Sequence, residues 1–304
     1  VSQVEAAQRC SVRSLMSGEP MAGSAGSTEV GYLLVEEPGA WPHKALGPST
    51  LGGIGPALES AAAHVGLKTL VFRQPGRRER APLQRRVFVA TLARQHRAVV
   101  TFTVRNLAEV LDSDLAAAAH QPLAVHPDAE SVTEQLLFVC AHAKRDQCCA
   151  IYGVPIAGAL AARYPQRVYE CSHLGGHRFA ATALALPSGA VYGRLTEESA
   201  ERAYDAERHA KVIAEDLRGL SSLPAAAQMV DAELRLRLGL TGIDDVRMLS
   251  YQQINEGHVI RMTVAGSVWQ GLVESRKTVA KPPSCGKPAD RSTAYAITKL
   301  ARER

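Results

Sequence analysis

No run of eighteen apolar residues occurs anywhere in this 304-residue chain, which argues against a membrane-spanning helix. There is no GxSxG elbow, no P-loop and no GxGxxG fingerprint, so serine-hydrolase, nucleoside-triphosphate and dinucleotide chemistries lack their usual marks. No CxxC opens a helical pattern, which removes the sign of thioredoxin chemistry. No pair of acidic residues stands out by placement, and glycoside hydrolysis needs two carboxylates flanking the scissile bond. The opening VSQVEAAQRCSVRSL lacks a basic stretch followed by an apolar one, so no secretory leader is expected and a cytoplasmic location is. Aromatic residues are scarce at 5%, while Ala and Arg abound, which reflects GC-rich coding more than function.

What is present is globular composition, with 46% hydrophobic and 21% charged residues, enough chain for one large or two modest domains. The net charge of +5 and a pI near 8.9 are mild, and the cations are spread along the chain. A nucleic-acid binder would gather them on one face. The single basic stretch, QPGRRERAPLQRR, reads as a solvated turn, with phosphate or an acidic partner as the sharper alternative.

In chain order, residues 1 to 30 are rich in turn formers and read as a loop or lid. A strand is expected at GYLLV, a helix over 56 to 66 with Pro at its start and Gly at its end, and strands at LKTLVFR, RRVFVATL and RAVVTFTV. From residue 134 the pattern predicts a strand (LLFVC), a helix (PIAGALAARYP), a strand (RVYECS), two strands joined by Ser188-Gly189, and a charged helix from Glu197 to Arg218. This order is that of a thioredoxin-like domain with a mixed four-stranded sheet. The tail predicts a helix, two or three alternating strands and a final short helix. No internal repeat is evident. The fold class is therefore α/β, divided into an α/β N-terminal region (1–125), a central domain (126–218) and a small α+β C-terminal region (219–304).

Cysteine and histidine are unevenly placed. Cys140, Cys148, Cys149, Cys171, His142, His173 and His177 fall within one short span. In a reducing compartment, thiol and imidazole at one place point to zinc, copper or iron-sulfur chemistry. Cys140 ends a strand and Cys149 precedes a helix, while His173 and His177 flank a Gly-Gly pair that lets the backbone bend. Two thiolates and two imidazoles suit one tetrahedral zinc ion or a 2Fe-2S cluster with unlike irons, as in a Rieske centre. Spacing alone leaves that choice open. Cys148 rivals Cys149, and Cys171 rivals either histidine; the absence of a CxxH second half argues against a Rieske fold. Arg145, Asp146 and Arg178 flank the site as an ion pair or as tuning groups. Cys10 and Cys285 read as ordinary thiols, although SCGKP leaves room for Cys285 to approach the cluster. Trp41 and Trp269 read as core aromatics.

The segments CAHAKRDQCCAIYGVPIAGAL and ECSHLGGHRFAATALALPSGAVYGRL resemble the sucrase/ferredoxin-like family, a branch of the thioredoxin-like 2Fe-2S ferredoxins. RCS, GEPMAGSAG, YLLVEEPGAWP and PPSCGKP extend that likeness over most of the chain. The resemblance implies a 2Fe-2S cluster held by Cys140, Cys149, His173 and His177, the last two forming an HxGGH motif. It implies a redox carrier rather than an enzyme with its own substrate, served by a partner such as a flavin- or nicotinamide-linked reductase. Neutral imidazole in place of thiolate would raise the potential, roughly to −150 to +300 mV against about −400 mV for four-cysteine clusters, and would couple electron to proton transfer. A zinc-stabilised module of the same fold and a thiol oxidoreductase using Cys148 and Cys149 are the alternatives, and nucleic-acid binding through residues 73 to 86 comes last.

Overall fold

The computed structural model describes residues 8–76 and 83–303. Each apolar run between residues 31 and 104 forms the strand its pattern predicts: β1 (Gly31–Glu36), β2 (Leu67–Arg73), β3 (Arg85–Thr91) and β4 (Ala98–Val104). Helix α1 (Cys10–Met16) precedes them, and α2 (Gly55–His64) links β1 to β2. A short β5 (Glu130–Val132) leads to β6 (Leu136–Cys140), α3 (Gln147–Arg163), β7 (Val168–Cys171), β8 (Ala183–Leu186), β9 (Ala190–Tyr192), α4 (Glu197–Arg208) and β10 (Leu217–Leu220). These ten strands form one mixed sheet in the order β10-β9-β8-β6-β7-β2-β1-β3-β4-β5.

The order contains a duplication that the sequence conceals. β6 and β7 are parallel, β8 pairs antiparallel with β6 and β9 with β8, the arrangement expected of a thioredoxin-like unit. β1 and β2 are likewise parallel around α2, with β3 antiparallel to β1 and β4 to β3. The two βαβββ units meet where β2 and β7 pair through Phe72–Cys171 and Arg73–Glu170. That seam is reinforced by the buried Arg73–Glu170 ion pair at 2.7 Å.

The sheet folds over at this seam. Four strand spacings separate β6 from β3, about 19 Å in a flat sheet, yet the rings of Phe138 and Phe88 lie 5.9 Å apart. Phe72 and Tyr169 complete the cluster at 5.1 to 5.7 Å. The scarce aromatics thus form the inner core between the two units, beside Leu34, Leu70, Leu184 and Cys140. Alternate residues of the same strands face outward: Leu137 and Val139 pack on Ile156, Ala157 and Leu160 of α3, and Leu33 and Val35 on Leu58 and Ala62 of α2. Burial on both faces is why these strands read as continuous apolar runs.

The tail folds as α5 (Ala225–Leu238) against an antiparallel sheet of β11 (Val246–Ile254), β12 (Gly257–Val264), β13 (Ser267–Lys277) and β14 (Thr293–Arg302). Three elements differ from expectation. The final segment is a strand rather than a helix, because its β-favouring residues (Thr293, Tyr295, Ile297) gain a partner in β13. α4 ends at Arg208, and Leu217–Leu220 pairs with β9 instead. α3 begins at Gln147, eight residues before Pro155, because the Asp146 side chain accepts a hydrogen bond from the Cys148 N–H and caps it.

Candidate metal centre

β6 is a wholly buried run, LLFVC, and delivers Cys140 to the sheet end where α3 begins. Gly153 lets that helix settle against the strand, since a Cβ there would lie 2.1 Å from the Cys140 carbonyl oxygen. Successive helix residues point about 100° apart, so the first turn of α3 sends its two thiols different ways. Cys149 joins Cys140 in the inner core; Cys148 turns toward Cys10 and Cys285.

The loop after β7 carries the imidazoles. Gly175 and Gly176 adopt φ of 82° and 65°, a left-handed path that side chains disfavour. A Cβ on Gly176 would also lie 2.3 Å from Arg218 Nη2. Arg218 is buried in β10 and donates from Nη1 to the Gly175 carbonyl at 3.0 Å and from Nε to Ser24 Oγ at 3.0 Å. Burial lowers its pKa to about 10, which still leaves it charged at neutral pH. Expected at the end of a charged helix, Arg218 is the positioning residue that the sequence reading missed; no motif surrounds it.

These elements bring together Cys140, Cys149 and His173. His173 Nδ1 stands 4.0 Å from each thiol sulfur. On its other side, His173 Nε2 lies 3.3 Å from His177 Nδ1. His177 Nε2–H donates to the Pro283 carbonyl, which leaves Nδ1 as the bare nitrogen. The Cys149 thiol and the His173 ring hold the Cys140 pKa well below the ordinary thiol value, and burial lowers that of His177.

In residue type the donor set suits both groups that the sequence leaves open, while as placed Cys140, Cys149 and His173 are the three within reach of one ion. Two imidazole nitrogens on one tetrahedral metal stand about 3.4 Å apart, close to the His173–His177 separation. The ring of His173 lies between the thiols and His177, with one nitrogen toward each. A single ion would therefore meet Cys140, Cys149 and His173 together, whereas a two-iron cluster requires the His173 ring to turn.

The alternates lie elsewhere. Cys171 is fully buried in the core and burial raises its pKa; it is outside both groups of metal-ligand type among the described residues. His142 Nε2–H donates to the Pro42 carbonyl at 2.7 Å, and the ring packs edge-on against buried Trp41. Trp269 packs with the α5 core. Arg178 pairs with Glu19, not Asp146, at 2.8 Å, and Arg145 is exposed. Cys10 and Cys285, expected as isolated thiols, converge on Cys148 and Asp146. All six cysteines are free thiols.

Of the basic stretch, residues 77–82 lie outside the described residues. Flanking Arg85 pairs with Glu37 at 3.6 Å, and Arg86 donates to Tyr169 Oη at 3.2 Å. Among the described residues no helix is long and apolar enough to cross a membrane.

A family model described as sucrase/ferredoxin-like matches residues 22–219, well over half of the chain. No curated protein and no solved structure matches it.

Proposed function

The chain belongs to the sucrase/ferredoxin-like family, and we propose that it is an electron carrier holding one 2Fe-2S cluster through Cys140, Cys149, His173 and His177. The observation that carries this reading is the meeting, at one sheet end, of a buried thiol pair with the imidazole pair of the His173–His177 loop. Such a cluster would supply a one-electron step at a potential above that of four-cysteine clusters. The protein's residues supply the setting. Cys140 and Cys149 are sealed from water, so exchange with solvent and partner falls to the half-buried imidazoles. His177, its Nε2 proton held on Pro283 O, would carry the proton coupled to electron transfer.

His173 lines a groove of about 510 Å³ with Lys44, Lys68 and Arg145, set against Glu29 and Glu59. On this reading a reductase, flavin- or nicotinamide-linked, docks there with an acidic surface. Region 126–218 carries the ligands, while 1–125 and 219–304 close the site through Glu19 and Pro283. A cytoplasmic location, where thiols stay reduced and able to bind metal, goes with this reading.

The test is iron and acid-labile sulfide analysis of protein purified without air, with the visible spectrum and EPR of the reduced form. Two irons and two sulfides per chain are expected. His173→Cys and His177→Cys should each shift the spectrum, move the potential toward that of four-cysteine clusters, on the order of −400 mV, and flatten its pH dependence. A single zinc without sulfide, in protein expressed with ample iron, would overturn the carrier reading. It would favour a structural module, which the equal 4.0 Å spacings around His173 Nδ1 also suit.

A further inference from the structure

Cys148 lies 138 residues from Cys10 and 137 from Cys285, yet their sulfurs form a closed triangle. The edges are 3.7 Å between Cys10 and Cys148, 3.3 Å between Cys148 and Cys285, and 3.6 Å between Cys10 and Cys285. A tetrahedral zinc ion with Zn–S bonds of about 2.3 Å places its sulfurs about 3.8 Å apart. The triangle is therefore close to one face of such a tetrahedron.

A fourth donor stands over it. Asp146 is buried, and its Oδ2 accepts from Ser284 Oγ at 2.7 Å and from the Cys285 N–H at 2.8 Å. Its Oδ1 accepts from the Cys148 N–H at 2.8 Å, and its two oxygens stand 3.7 Å (Oδ1) and 3.5 Å (Oδ2) from Cys10 Sγ. Oxygen and sulfur on one zinc ion stand about 3.5 Å apart. The bonds on Oδ2 fix the carboxylate as outer partners fix metal-bound carboxylates. Two donors also address the sulfurs: Ser11 Oγ–H to Cys148 at 3.3 Å and the Cys10 N–H to Cys285 at 3.5 Å. Such bonds stabilise thiolates.

We propose that Cys10, Cys148, Cys285 and Asp146 form a second metal site that holds structural zinc. The geometry favours zinc because a closed set of three sulfurs and one oxygen, buried except at half-buried Cys285, leaves no open position for a substrate. Zinc there binds the residues before β1, the cap of α3 and the turn between β13 and β14 into one unit, so its binding energy is folding energy. The site lies beside the first one, with Asp146 Oδ2 3.8 Å from His177 Nε2, and stands independently of the carrier reading.

The experiment uses the full-length protein expressed with both zinc and iron. Zinc is quantified and its K-edge absorption recorded, then repeated for Cys10→Ser, Cys285→Ser and Cys140→Ser. One zinc per chain is expected, with three sulfurs near 2.3 Å and one oxygen. Cys10→Ser and Cys285→Ser should lose it while iron is kept, and Cys140→Ser should keep the zinc. The proposal is overturned by zinc with two sulfur and two nitrogen neighbours, by zinc retained in both Cys10→Ser and Cys285→Ser, or by no zinc in the unaltered protein. A disulfide joining any two of the three thiols in anaerobic protein would also overturn it. Should the variants fail to fold, the sulfur count of the unaltered protein decides alone.

Discussion

Glu207 shows how one residue sets a pH dependence away from the candidate metal centre. Its carboxylate is buried, accepts Tyr192 Oη–H at 2.6 Å and Gln135 Nε2–H at 3.2 Å, and burial raises its pKa from 4.5 to about 7. An acid with a raised folded-state pKa binds its proton more tightly in the native state. Its contribution is therefore favourable at low pH and fades as pH climbs from 4.5 through about 7. The loss amounts to roughly 3 kcal/mol. Glu207→Gln should remove most of it, so urea midpoints of the variant should vary less between pH 5 and 8 than those of the unaltered protein. Equal slopes for the two would refute the assignment. The sequence announces Glu207 only as one charge on an exposed-looking helix; its burial follows from α4 packing on Tyr192, a tertiary fact. His173 and His177 are the opposite case, legible because an HxGGH motif joins the two donor rings to the glycines their loop requires.

At the scale of elements, the strands were legible because both faces are buried and each reads as an unbroken apolar run. The boundaries of α3 and α4 were not. Pro155 suggests a helix start, and the cap nine residues upstream, Asp146, reads only as a charged loop residue; α4 runs on in the charge pattern past the turn that releases Arg218. Within α3 the two glycines invite a paired test. Gly153 faces β6, where an added Cβ would meet the Cys140 carbonyl oxygen at 2.1 Å, whereas Gly158 is exposed with nothing within 4 Å. Gly153→Ala should push the helix off the strand, destabilise by about 1–3 kcal/mol and weaken metal retention as Cys149 draws away from Cys140. Gly158→Ala should stabilise by up to about 1 kcal/mol through helix propensity alone. Chemical denaturation of both variants checks this, and a neutral or stabilising Gly153→Ala would mean that close packing does not set the Cys140–Cys149 approach.

The whole molecule closes its candidate metal centre with segments that no local pattern connects. Two βαβββ units share one sheet and fold face to face, yet Cys140, Cys149, His173 and His177 all lie in the second. The duplication stayed hidden because it is one of topology, held by apolar runs whose identities differ. Closure converges on Glu19, whose side chain is 1% exposed. It accepts Ser14 Oγ–H at 2.7 Å and pairs with Arg178 at 2.8 Å and Lys281 at 3.1 Å. Arg178 follows His177 directly, and Lys281 lies two residues before Pro283, which holds His177. One carboxylate thus joins the N-terminal segment, the imidazole loop and the strap over it. Removing its charge leaves two cations facing each other in a largely buried space, where breaking one side of an ion pair costs about 3 kcal/mol or more. Glu19→Gln should lower the melting temperature and speed metal extraction by a chelator at neutral pH, while Glu198→Gln, at an exposed pair 3.9 Å long, should change neither. Melting and extraction unchanged in Glu19→Gln would show that the strap is held without this carboxylate, and that closure rests instead on the thiols and Asp146 next to it.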